Sequence, residues 1–467
     1  MSSYPLPPPA SDFRAILQSF AQGPGLPFAD VLTAEHIAAA CADEGALFGA
    51  GRGDVYSVAI TLWAFLAQVL SKEKSCRAAV ARVIAWLIAR GRPPCSAATG
   101  AYCKARAKLP ERLLRRLGRD AGRRLEDGAP AHWRWRGRRV LLADGTTVLL
   151  ADTPANQAAY PQMRCQEPGV GFPIVRLVVL LGWATGALVA AALAPYRGKQ
   201  TGETALLRQL LDELRPGDVL VADRCYCTYW LVALARLRGA DVVFRLHQRR
   251  HYDFRRGRRL GRDDHVATWA KPARPGWMDE ATYAGLPAQL AVRELRLRID
   301  RPGCRVKELV AATTLSDAVV YPAADVTDLY QQRWQAELDL RAIKSSLGME
   351  MLRAQSPAMA RKELWAHLLA YNLVRQVMAQ AAQRHGRAPR QVSFSGAVQT
   401  LNAFRVGLLA ASAAELRGLA EALWVAVVSH RVGGRPGRCE PRKVKRRWKT
   451  YGLLKKPRAQ ERAALLG

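Results

Sequence analysis

Between Tyr330 and Ser345 the sequence runs YQQRWQAELDLRAIKS. On a helix Tyr330, Arg333, Glu337, Arg341 and Lys344 fall within about 80° of one another. That stripe borders the apolar side made by Leu329, Ala336, Leu340, Ile343 and Leu347. A purely solvated charge face would lie opposite the core. A glutamate, two arginines, a lysine and a tyrosine on the border of a core suit a site that meets a reacting anion. Two aspartates extend the set. Asp144 follows the apolar run VLLA and Asp223 follows VLVA, each one residue past a short strand. There a rigid sheet can hold a polar group at the core's edge. Three converging carboxylates, Asp144, Asp223 and Glu337, repel one another unless a cation joins them. Hard oxygen ligands suit Mg²⁺, and two such ions can activate water and stabilise the leaving oxygen of a phosphodiester.

Each residue has a plainer reading. Asp144 before Gly145 could be a turn aspartate, as could Asp152 before Thr153-Pro154, the competing first carboxylate. Asp223 could pair with Arg224, and Glu337 with Arg333 or Arg341 at i,i+4 spacing. The ordered set outweighs its parts, because a site is defined by joint geometry. His247, His251, Asp253, Asp263, Asp264 and His265 invite a metal-site reading, but the seven arginines within 249–262 would repel a cation. DNA contact or a solvated loop suits that stretch better. Cys225 and Cys227 read as packing residues.

The elements that must position these groups alternate along the chain. The periodicity predicts helices from Asp30 to about Arg90 and a basic helix from Ser96 to about Leu125. A strand follows at Arg139–Ala143, then a strand pair within 174–194 turning near Thr185-Gly186. Beyond it come a helix at 203–214, a strand at 219–223, a helix at Tyr229–Leu237 and a strand at ADVVFRL. Further strands lie in LAVRELRLRID and RVKELVAATTL, ahead of the striped helix and a long helix ending near His385. Three strands together, then strands alternating with helices, imply an α/β fold with a mixed sheet covered by helices. The boundaries read as a helical region 1–130, a catalytic region 131–385 and a helical region 386–467 with a basic tail.

The chain has 467 residues and 71 Lys+Arg against 39 Asp+Glu, a net charge of +32. Such an excess favours a polyanionic partner, since each neutralised phosphate releases counterions. The charge is uneven: residues 1–60 are net acidic, whereas Arg435–Arg458 holds eleven Lys/Arg and a single Glu440. Phosphate or base contact by that tail, with Trp448 and Tyr451, follows from its composition. The basic helix at 104–124 is the expected binder of DNA ends. Nine cysteines without paired spacing point to reduced thiols in a cytoplasmic chain. No signal peptide is evident in MSSYPLPPPASDF. The uncharged run Leu177–Ala194 has the length of a membrane span, but GWATGA interrupts it, so two buried strands joined by a turn are expected and no membrane contact.

With these residues in order, the chain resembles the DDE transposases of bacterial insertion sequences, the "insertion sequence four" family. That family's signature places Tyr, Arg, Glu and Lys at the spacing of Tyr330, Arg333, Glu337 and Lys344, and its two aspartates match Asp144 in LLADGTTV and Asp223 in VLVADRCY. The resemblance covers roughly 139–385. It implies an RNase H-like core with a mostly β insertion, here at about 248–302. It also implies two Mg²⁺ ions, replaceable by Mn²⁺, on Asp144, Asp223 and Glu337, with Asp144 bridging. The implied activity is cleavage of double-stranded DNA at transposon ends and transfer of the freed 3′-hydroxyl into target DNA, by a homodimer on paired ends at the bacterial nucleoid. Tyr330, Arg333 and Lys344 would hold phosphates and a flipped base near the cut, and Arg341 a further phosphate. An aromatic of the insertion, Trp269 or Trp277, would stack on the displaced base. The rivals are a nuclease without strand transfer and a noncatalytic DNA-binding derivative.

Overall fold

The computed structural model of the chain describes residues 9–22, 27–51, 53–298, 308–432 and 452–466. The basic tail with Trp448 and Tyr451 lies mostly outside the described residues. Along the chain come helices α1 (Arg14–Gln18), α2 (Ala34–Asp43), α3 (Val58–Leu70), α4 (Cys76–Ala89), α5 (Gly100–Lys108) and α6 (Glu111–Asp127). Strand β1 (Val140–Leu149) leads through α7 (Pro154–Ala159) to the hairpin β2 (Ile174–Gly182) and β3 (Leu188–Pro195). Then follow α8 (Glu203–Arg208), β4 (Val219–Ala222), α9 (Tyr229–Leu237), β5 (Asp241–Arg245), β6 (Arg258–Gly261), β7 (Asp264–Ala270), α10 (Glu280–Gly285), β8 (Gln289–Arg298) and β9 (Glu308–Thr313). The chain continues in α11 (Ala323–Gln331), α12 (Trp334–Arg341), α13 (Pro357–Arg384), α14 (Phe394–Ala410), α15 (Ala413–Ser429) and α16 (Arg458–Leu466).

By internal contacts the chain divides into two units, one of residues 1–134, 181–190 and 338–432, the other of 135–180, 191–337 and 433–467. The first is helical. Its centre is α13, buried along most of its length and packed by α3, α6, α14 and α15. Asn372 on α13 donates to the carbonyls of Gly118 and Leu188, both at 2.8 Å, and accepts from the Leu188 amide. Only glycine fits at 122 on α6, where a side chain would overlap the Leu188 carbonyl and the Asn372 amide. The turn between β2 and β3 is held in the same unit by buried Glu126, which accepts from the amide and hydroxyl of Thr185. The membrane-length run is therefore a hairpin, and no helix among the described residues is long and apolar enough to cross a membrane.

The second unit is built on a nine-stranded sheet of order β3-β2-β1-β4-β5-β9-β8-β7-β6. Apolar runs such as VLVA and VVF are buried on both faces, as central parallel strands require. β1, β4 and β5 are parallel neighbours, and β9, β8, β7 and β6 continue the sheet antiparallel. The 3-2-1-4-5 order with helices between its parallel strands is an RNase H-like mixed sheet. The strands at 258–298 continue that sheet.

Three local expectations change. The basic helix predicted from Ser96 to Leu125 is two, α5 and α6, because Pro110 lacks an amide and disfavours helix at Leu109. The helix predicted at 203–214 stops at Arg208 and resumes as a 3₁₀ turn at Leu211–Glu213. The arginines of α6 are also not a free cationic face: Arg112 pairs with Glu44 at 2.6 Å and Arg116 with Asp43 at 2.8 Å. Part of the N-terminal acidity thus neutralises the basic helix.

Candidate active site

β1 does not end at Ala143 as its apolar run predicts; β-branched Thr146, Thr147 and Val148 carry it on to Leu149. What ends there is the pairing with β4. Val140 faces Val219, Leu141 faces Leu220 and Leu142 faces Val221. Continued by two residues, that register sets Asp144 opposite Asp223, one strand spacing of about 4.8 Å apart and directed to the same face. The competing Asp152 lies beyond β1, accepting from Gln157 Nε2 at 2.9 Å.

The single helix predicted over 329–347 is three pieces. α11 ends at Gln331, and Gln332, Arg333, Gln335 and Ala336 each bond three residues back, a 3₁₀ joint that tightens the winding before α12. Past Arg341 the ladder loosens into a π turn over Ala342–Ser346, where Leu347 bonds back to Ala342. The 100° spacing behind the stripe therefore holds only in segments. Tyr330, Arg333 and Glu337 belong to the unit of the aspartates. Arg341, exposed at the end of α12, and half-buried Lys344, on the π turn, belong to the helical unit.

Arg333 is the cation the three carboxylates share. It donates to Glu337 Oε1 at 2.7 Å and attracts both Asp144 and Asp223. Burial works against its charge, and Tyr330, Glu337 and Asp223 more than offset it, holding the guanidinium above its ordinary range. Tyr330 is 6% exposed, and burial, with Asp223 adding, raises its phenol against the pull of Arg333 and Arg245. Burial raises the Asp144 carboxyl to about 6, opposed by the Gly145 amide at 2.8 Å and by Arg333, while Glu337 and Glu203 push it further.

Glu203, at the start of α8, is the site residue the sequence reading missed. Its carboxylate lies where a side chain at Gly145 would go, 2.6 Å from an ideal Cβ. Its Oε2 accepts from Tyr226 Oη at 3.2 Å and Cys225 Sγ at 3.6 Å, both just past Asp223. Glu203 thereby ties the Asp144 and Asp223 segments together. The sequence signal was Gly145, read as a turn residue when its task is to admit this carboxylate. Desolvation, then Glu203 and Asp223, raise the Cys225 thiol and keep it protonated.

The other candidates have partners of their own. Trp269 is 3% exposed, with its indole N–H on Glu294 Oε1 at 2.8 Å and the Arg250 guanidinium 3.7 Å from its ring centre. Trp277 is half-buried, with Arg208 over its ring, also at 3.7 Å. His265 bonds Glu294 and the Arg256 carbonyl, Asp264 pairs with Arg293, Asp253 with Arg255, and Asp263 with Arg298. That acidic and histidine-rich stretch is spent on ion pairs. Among the described residues no three of His, Cys, Asp and Glu stand closely enough together to hold a metal ion.

A family model described as "Transposase DDE domain" matches residues 135–373. The chain is 30% identical over 304 residues to the transposase InsG of insertion sequence element IS4 from Escherichia coli strain K12, across 64% of this chain. The match spans 65% of that relative's length. It is 40% identical over 58 residues to the transposase of insertion sequence element IS421 from Escherichia coli, 12% of this chain and 16% of that one. Among solved structures it is similar to a piggyBac transposase synaptic complex with hairpin DNA, at a TM-score of 0.44 and 9% identity over 88% of this chain and 85% of that one, a likeness too faint to bear on the assignment. Matched by that domain over more than half its length, and carrying the Tyr-Arg-Glu-Lys spacing inside the match, the chain belongs to the DDE transposase family.

Proposed function

We propose that the chain is a DNA transposase, cutting double-stranded DNA at the ends of its element with a divalent metal and joining the freed 3′-hydroxyl to target DNA. The observation that supports this reading is the β1–β4 register, which continued by two residues would bring Asp144 opposite Asp223, together with the charge interactions of Glu337 and Arg333 with Asp144 and of Arg333 with Asp223. The donor set suits a hard divalent cation: it is all oxygen, and burial first, with Glu337 and Glu203 adding, holds the Asp144 carboxyl up, a cost that a cation relieves. The three carboxylates do not yet stand closely enough together to hold an ion and would close on it. Asp144, Asp223 and Glu337 would hold Mg²⁺, two ions in all, or Mn²⁺ in its place. Bound there, the metal supplies activation of water and charge stabilisation at the leaving oxygen.

The chain's own residues orient the strand. Arg333 spends one nitrogen on Glu337 and presents the rest of its guanidinium fork to a phosphate beside the cut. Tyr330, Arg341 and Lys344 hold neighbouring phosphates. Trp277 meets a displaced base more readily than Trp269, whose indole is buried and bound to Glu294. The region 1–130 contacts the transposon ends, 131–385 carries the chemistry, and 386–467 adds the basic tail. Two copies act on paired ends, at the nucleoid.

The test is incubation with Mg²⁺ or Mn²⁺ on DNA carrying the chain's own gene and both flanks, with Glu337→Gln in parallel. Matched cuts on both flanks with joined products, absent from the variant, establish transposition. Cuts without joining indicate a nuclease. Binding without cutting, equal in both proteins, removes the catalytic reading.

A further inference from the structure

The helical unit carries an open cavity of about 910 Å³ between α1, α3, α4 and α14. Its size is that of a small-ligand site. Arg14, Lys72, Arg82, Arg90 and Arg405 line it, and no Asp or Glu does. Arg14, Lys72 and Arg90 stand exposed at its rim and Arg82 is half-buried, and among the described residues none of the five is in an ion pair. Arg405 is 9% exposed and its Nε has no acceptor. Nη1 of Arg82 and Nε1 of Trp86 are likewise buried without acceptors, although Arg82 Nη2 donates to Ser71. Unpaired buried charge is costly to hold. Burial, then the like charge of Arg82, lowers the Arg405 guanidinium to about 10, and burial lowers Arg82 as well. Nothing acidic on α1, α3, α4 or α14 lines the space to compensate them.

The missing partner is therefore an anion rich in acceptors. Guanidiniums in such number suit a phosphate, whose oxygens take several charge-assisted hydrogen bonds at once. The wall beside them is aromatic: Trp86 lies 5.8 Å from Trp63 at 40°, with Arg90 5.0 Å from its ring centre. Tryptophan next to cations is the pairing that receives a nucleotide, base on ring and phosphate on arginine. We propose that this cavity seats one nucleotide unit of a DNA strand, its phosphate among Arg82, Arg405 and Lys72 and its base against Trp86. The site lies wholly in the helical unit and uses none of the carboxylates. Its assignment to DNA, rather than to a free nucleotide, rests on the transposase reading.

The experiment is calorimetric titration of the full chain, in EDTA and at fixed salt, with a 5′-phosphorylated trinucleotide, thymidine monophosphate and inorganic phosphate. Arg405→Met should weaken trinucleotide binding about tenfold or more. Arg462→Gln, on α16, removes a charge elsewhere and should leave it unchanged. Trp86→Phe should abolish the fluorescence change on trinucleotide binding. Arg405→Met should melt no lower than the parent, because it removes an unpaired buried cation. Equal binding by Arg405→Met, or an equal loss in Arg462→Gln, overturns the site. Phosphate bound as tightly as the trinucleotide overturns the nucleotide assignment, and a mononucleotide bound more tightly than the trinucleotide overturns its assignment to a strand. No metal enters these titrations, so their failure leaves the cleavage test untouched, and failed cleavage leaves them standing.

Discussion

Asp144 should destabilise the metal-free protein that it serves. Its folded pKa of about 6 stands above the ordinary 3.8. The folded chain thus binds the proton more tightly than the unfolded chain, and this contribution to stability is full below pH 4 and lost as pH rises through about 6. Each tenfold gain in proton affinity is worth about 1.4 kcal/mol, which sets an upper bound of about 3 kcal/mol. Relaxation around a side chain that is not fully buried brings the expected effect to about 1–2 kcal/mol, which for a unit of 150–250 residues is roughly 2–8 °C of melting temperature. Asp144→Asn, in EDTA at pH 8, should therefore melt a few degrees above the parent, and the difference should vanish at pH 4; with Mg²⁺ restored, the variant should fail to cleave DNA. Mg²⁺ should raise the melting temperature of the parent and not of the variant. Differential scanning fluorimetry across pH 4–8 reads all three. An Asp144→Asn protein that melts below the parent at pH 8 would refute the reasoning, because the carboxylate would then be satisfied where it stands.

Gly145→Ala should displace the Glu203 carboxylate from Tyr226, lowering stability by about 1–2 kcal/mol. In a Glu203→Ala background the same change should cost little, and additive losses in the double variant would mean the two residues do not touch. Asp339, 1% exposed, binds Arg375 and Arg390, the latter at 2.5 Å. Asp339→Ala strands both guanidiniums and should cost about 3–5 kcal/mol in a thermal or urea melt; a loss below about 1 kcal/mol would show the pair to be dispensable. Gly122→Ala forces a methyl into the Leu188 carbonyl and should cost about 3 kcal/mol or more, read as loss of folded yield and a depressed melt.

Much of the sheet was legible because its strands are short apolar runs closed by turn residues: VLVA before Asp223, DVVFR after Gly239, and the two halves of 174–195 around Gly186. α9 matches its periodicity end to end for the same reason, and Thr228 caps it. Where a residue's role depends on what approaches from elsewhere in the chain, the pattern was silent. Glu203 looks like any first-turn helix acid until the fold brings it against Gly145. The stripe from Tyr330 to Lys344 was visible as chemistry but not as geometry, since neither the 3₁₀ joint at Arg333 nor the π turn at Ala342–Ser346 leaves a mark on 3.6-residue spacing. Trp269 shows the same limit: composition cannot distinguish an indole offered to a ligand from one bound to a buried glutamate.

The far end of the sheet bears on how copies of this chain meet. β6 is four residues long, carries Arg258 and Arg259 exposed, and slips register against β7 between Arg259 and Gly261. A long, flat, apolar margin would template another chain's strand and seed fibrous aggregation. This one is too short, too charged and too irregular to do so. At high local concentration that margin should remain a poor place for one sheet to graft onto the next, and any lasting association there must be made through side chains.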